Sequence, residues 1–70
     1  MNLAAARREV KELLGKRKKF LYRGSRNQNE IFNGFVVKCF SSIFLIQTDE
    51  GIVKSFSYND FIINNIKIIS

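Results

Sequence analysis

The chain has 70 residues, 46% of them hydrophobic, and twelve Lys and Arg against six Asp and Glu give a formal net charge of +6. That length allows one domain with a marginal core, burying about 60% of its unfolded surface, and seven Phe in so apolar a chain argue against disorder. The absence of His removes the usual acid–base group near neutral pH, and a single Cys excludes both an internal disulfide and a cysteine zinc site.

Residues 2–14 are predicted to form a helix. Asn2 is a suitable N-cap, three alanines follow, and Leu3, Ala6, Val10, Leu13 and Leu14 recur at helical spacing. Arg7 and Lys11, four apart, line one border of that stripe. Gly15 ends the helix where a left-handed cap is most often glycine. Residues 17–23 read as a strand, with Phe20 and Tyr22 turned inward and Arg17, Lys19, Leu21 and Arg23 outward. GSRNQN, 24–29, is a loop by composition. EIFNGFVVKCF, 30–40, is a long strand, and Gly34 within it marks a bend, a bulge or close backbone approach.

Ser41 and Ser42 make a tight connection to IFLIQT, 43–48, whose apolar residues on both faces predict burial on both sides. Asp49-Glu50-Gly51 is a hairpin turn. In the next strand, 52–58, Lys54 falls on the apolar face and calls for a bulge, an edge position or a snorkelling side chain. Ser57 and Asp60 have the outline of a capping box, predicting one helical turn at 59–62 that carries Phe61 and Ile62 to the core. Residues 65–69 supply the last strand. This order, one domain over 1–70 with a helix at 2–14 and five short strands within 16–69, is mainly β and outlines a small SH3-like or Sm-like barrel. The leading helix favours the Sm-like form, and closure would protect the strand edges.

The charge is unevenly spread. Residues 1–29 carry nine cations against two acids, a balance of +7, whereas residues 30–70 carry three against four, a balance of −1. Arg7, Lys11, Lys16, Arg17, Lys19, Arg23 and Arg26 are the candidate binding residues, and nucleic acid or an acidic protein surface is the partner class that such asymmetry suggests. Read without function, they are a solvated face that keeps an apolar protein soluble and guards an edge. KRKK at 16–19 matches an import signal, but it opens a strand in a basic domain. Tyr22, Tyr58, Phe32 and Phe40 are possible stacking platforms, each expected to be packed in so small a core. The turn Ser41-Ser42 has neither acid nor amide, so the uridine-reading pocket of Sm-like proteins is not supported. Cys39 in VVKCF is expected to be a buried structural thiol. No paired carboxylates, phosphate-binding loop or zinc spacing is present, so no catalysis, metal or cofactor is expected. The lone Cys and the absence of a signal peptide or a span of about 20 apolar residues point to the cytoplasm and away from the membrane.

The stretch from Ser41 to Ile62 resembles the Veg proteins, small biofilm-formation stimulators of Gram-positive bacteria of the Firmicutes type. The matching features are Gly15-Lys16-Arg17, Gly24 and Arg26 in the first loop, Gly34, Ser42 through Gln47, and Ser55 to Asp60 with its Ser-aromatic-Ser-Tyr-x-Asp pattern. The likeness runs from about residue 10 to residue 69. The loop is thinned in cations at Asn27, Gln28 and Asn29, and the chain stops after the last strand with no acidic tail. The resemblance implies a small barrel, a cytoplasmic regulatory role and no enzymatic activity, and it brings no defined binding site. The expectation is therefore a regulator that binds nucleic acid through a basic face or, alternatively, an acidic regulatory protein. Pairing of strand edges into a homo-oligomer is compatible with both.

Overall fold

In the computed structural model, which describes residues 1–24 and 28–70, the first element is the helix α1, Leu3–Glu12. Asn2 caps it through Oδ1, which accepts from the Ala5 N–H at 2.8 Å. The helix is shorter than the spacing of its apolar residues suggested. Ala6 and Val10 are buried, Leu13 is half-buried at the C-cap, and Leu14 has left the helix to bridge Val36. Gly15 follows at φ +75°, and its N–H donates to the Val36 carbonyl at 3.2 Å. The helix end is thereby tied to the sheet rather than merely turned toward it.

Five strands follow: β1 Arg17–Arg23, β2 Asn29–Cys39, β3 Ile43–Thr48, β4 Val53–Ser57 and β5 Ile66–Ile68. The short helix α2, Tyr58–Ile62, lies before the last. All ladders between named strands are antiparallel, in the order β4-β3-β2-β1-β5. Gly51 closes the β3–β4 hairpin at φ +86°. Ser57 caps α2, its Oγ accepting from the Asp60 N–H at 3.0 Å, and Asn64 takes a left-handed φ of 63° between α2 and β5.

The sheet is open, which corrects the expectation of a closed SH3-like or Sm-like barrel: no ladder joins β4 to β5. The reason lies in the connection. β5 has only three residues, and α2 packs against β4, β5 and α1 where a closing ladder would have to form. The sheet is nevertheless strongly curled. Tyr22 on β1 and Phe56 on β4 lie three strands apart, which a flat sheet would separate by about 14 Å, yet their ring centroids are 5.1 Å apart. Phe32 stacks on both Phe20 and Phe56, at 5.7 and 6.1 Å, and Phe44 reaches Phe56, Tyr58 and Phe61. This continuous set of rings fills the concave side, and Ala6, Val10, Val36, Ile46 and Ile66 complete it.

Gly34 is a site of close approach, where a Cβ would strike the Gln47 carbonyl and come within 3.1 Å of Ile46 Cγ2. The bulge comes later, between Val36 and Lys38. β3 is not buried on both sides: Phe44 and Ile46 are enclosed, but Ile43 on the convex face is 39% exposed and Leu45 half-buried. No helix or strand among the described residues is layered over that face, so Ile43 meets solvent. Cys39 is half-buried rather than enclosed. Lys54 snorkels from an edge strand as expected, its Nζ 2.8 Å from Glu30 Oε1 and 5.7 Å from the Phe32 ring centroid.

Candidate binding surface

The inward and outward sorting of β1 is as the alternation requires. Phe20 is buried and Tyr22 packs against the core, while Arg17, Lys19 and Arg23 are exposed on the convex face of the sheet. Same-side residues two apart are separated by roughly 6.6–6.8 Å along a strand. Leu21 interrupts this row of cations, and Lys67 of β5 stands opposite it in the register. On the other side, β2 sets Phe35 opposite Arg17, Asn33 opposite Lys19, Ile31 opposite Leu21 and Asn29 opposite Arg23. Gln47 of β3 continues the first of these rows beyond Phe35. The convex face thus combines cations, side-chain amides and one aromatic ring, Phe35, which is 36% exposed.

Arg17 differs from its neighbours. Its Nε donates to Asp49 Oδ1 at 3.0 Å and its Nη2 to Asp49 Oδ2, a two-pronged pair at the surface. Hydrogen bonding by the guanidinium, aided by its charge, holds the Asp49 carboxyl below its ordinary value and raises Arg17 above its own. Among the described residues the other ion pair is Lys54 with Glu30. Arg7, Arg8, Lys11, Lys16, Lys18, Lys19 and Arg23 have no carboxylate within ion-pair distance among those residues.

A second group of cations lies away from β1. Arg7 and Lys11 of α1 line a cleft of about 420 Å³ together with Leu14, Val37, Lys38, Cys39, Phe40 and Tyr58. Arg7 is anchored there, its Nε donating to the Ser41 carbonyl at 2.8 Å. The Tyr58 hydroxyl donates to the Phe40 carbonyl at 2.8 Å, and burial pushes its pKa up. Lys38 Nζ lies 5.2 Å from the Phe40 ring centroid. Phe40 is 45% exposed, contrary to the expectation that it would be packed; Tyr22, Phe32 and Tyr58 are packed as expected.

The seven candidate residues therefore do not form one strip. Arg17, Lys19 and Arg23 share the convex face, and Arg7 and Lys11 share the helix cleft. Lys16 lines a separate hollow beside Glu9, Glu12 and Lys18. Arg26 lies outside the described residues. Lys38 and Lys67, which the structure sets beside two of these groups, were not among the candidates. Strict alternation along β2 sets Lys38 on the face of Phe32 and Gly34, but the bulge after Val36 reverses the phase and pairs it with Leu45. Lys67 is placed by the β1–β5 register, which no local pattern encodes. Among the described residues no group of three or more His, Cys, Asp or Glu is placed to hold a metal ion, and no helix of these residues is long and apolar enough to cross a membrane.

The family model of the biofilm formation stimulator VEG matches residues 1–69. The match covers nearly the whole chain, and the chain belongs to the VEG family. No curated protein matches it.

Proposed function

We propose that this VEG-family chain is a non-enzymatic regulator that acts by binding nucleic acid through the convex face of its sheet. The observation that carries the reading is the positive charge left without an internal partner. Of the three β1 cations on that face, Arg17 is held by Asp49, whereas Lys19 and Arg23 have no carboxylate within reach among the described residues. Nucleic-acid phosphates are ligands for such charge, and contacts to them need no sequence-specific pocket. Asn29, Asn33 and Gln47 beside the cations supply hydrogen-bonding groups, and Phe35 offers a ring on which a base can stack, at about 1–3 kcal/mol per base in single-strand binders.

The test is charge reversal at Lys19→Glu with Arg23→Glu, read on labelled single- and double-stranded oligonucleotides at low salt. Arg17 is unsuitable for this purpose, because reversing it would set a carboxylate against Asp49. Loss of binding by the double variant, with an unchanged circular dichroism spectrum, is expected. Absence of binding by the unaltered protein at low salt would end the proposal.

One observation favours a second reading, an acidic regulatory protein as partner. Ile31 is 60% and Val53 54% exposed on the same convex face, and aliphatic side chains contribute little to phosphate contacts. Cross-linking in cells followed by identification of what is captured separates the two, since nucleic acid recovered without protein would remove this second reading.

A further inference from the structure

β4 is an edge strand, and the direction of its unused hydrogen bonds can be read from the ladder. The Thr48 N–H donates to the Ile52 carbonyl at 2.8 Å, and the Tyr58 N–H donates to the Ser42 carbonyl at 3.2 Å. Ile46 is paired with Lys54 and Phe44 with Phe56. Backbone groups at the even positions of this segment therefore point to β3. Those of Val53 and Ser55, and the N–H of Ser57, point away from the sheet, where no strand among the described residues lies.

Two of the devices that usually protect such an edge are missing from β4. The bulge sits in β2 rather than β4, and the chain has no Pro. The one lysine of the strand, Lys54, is folded onto Glu30 and over Phe32 instead of standing at the edge.

We propose that β4 pairs antiparallel with β4 of a second copy of this chain, about a two-fold axis at Ser55. This register sets Ser55 against Ser55 and Val53 against Ser57, all of them positions whose free groups face outward. Lys54 then lies opposite Phe56 and not opposite its own copy, so no like charges meet. The argument for a second copy, rather than an unrelated strand, is this self-matching: the outward groups of Val53, Ser55 and Ser57 are symmetric about Ser55, and the one charge of the strand, Lys54, is paired with Glu30 within its own copy. The pairing joins two five-stranded sheets into one and does not depend on what the cations bind.

Sedimentation equilibrium from about 1 µM to about 1 mM tests this, a range wide enough to reveal weak association. A mass twice 8.1 kDa is expected at the upper end. Ser55→Pro removes an N–H that the β3 ladder does not use, together with both bonds of the Ser55 pair, and should give a monomer with an unchanged circular dichroism spectrum. Ser55→Lys sets two ammonium groups opposite each other and should raise the dissociation constant at least about fivefold. It decides the matter where Ser55→Pro does not fold. A mass of 8.1 kDa throughout, or a dimer that Ser55→Lys leaves as tight as before, would overturn the proposal.

Discussion

Arg17 and Lys19 are two residues apart on one face of one strand, yet only Arg17 has an internal partner. The sequence placed both outward from alternation alone, and both are outward. The Arg17–Asp49 pair was not legible, because it joins residues 32 apart that the β1–β2–β3 register alone brings together. The pair has a pH signature. Asp49 has a lowered pKa in the folded chain, so its contribution is present above the unfolded value of about 3.9 and lost as pH falls through the folded value. Asp49→Asn should flatten that part of the acid limb, measured by urea unfolding between about pH 2 and pH 5, and the same limb in protein and variant would contradict the assignment. Gly34 makes a firmer claim. Its place was read as a bend, a bulge or close approach, and close approach is what the structure holds there. Gly34→Ala should cost at least about 2 kcal/mol, since the added methyl meets backbone rather than a side chain that can swing away. An unchanged urea midpoint would refute it.

Elements were more legible than their surroundings. β1 and β3 span the stretches that composition and alternation marked, because each strand ends where a Gly, Ser or Asp turn begins. α2 was legible from two residues, Ser57 and Asp60, because capping is a local interaction three residues in range. Ser57→Ala should destabilise the chain by about 1 kcal/mol, with Ser57→Asp retaining most of that; chemical denaturation of the three proteins checks the order. What local pattern could not supply was phase and cover. The bulge after Val36 moved Lys38 to the other face, and nothing in VVKCF announces a bulge. Likewise IFLIQT promised burial on both sides, but whether a second layer covers the convex side of β3 depends on the whole topology. The extra apolar residues there are what remains once α1 and α2 have taken the concave side.

At the scale of the molecule, the strand number and the leading helix were inferred correctly, and the closed barrel was not. Closure is a property of the last connection. A three-residue β5 and an intervening α2 leave the sheet curled around its rings with two free edges. Curling and charge act together. The concave side takes the aromatic residues of β1, so Arg17, Lys19 and Arg23 are turned to the convex side, beside the amides of β2 and β3. An unpaired positive face of this kind draws its affinity for a polyanion from displaced counterions, and salt is the variable that reveals it. The most direct measurement is the dependence of nucleic-acid affinity on salt between about 50 and 200 mM. With about three to five phosphates neutralised, the logarithm of the binding constant should fall with the logarithm of salt at a slope of about −2.7 to −4.5 on duplex, and less steeply on single strands. A slope near zero, or no binding at the lowest salt, would contradict the role given to the β1 cations.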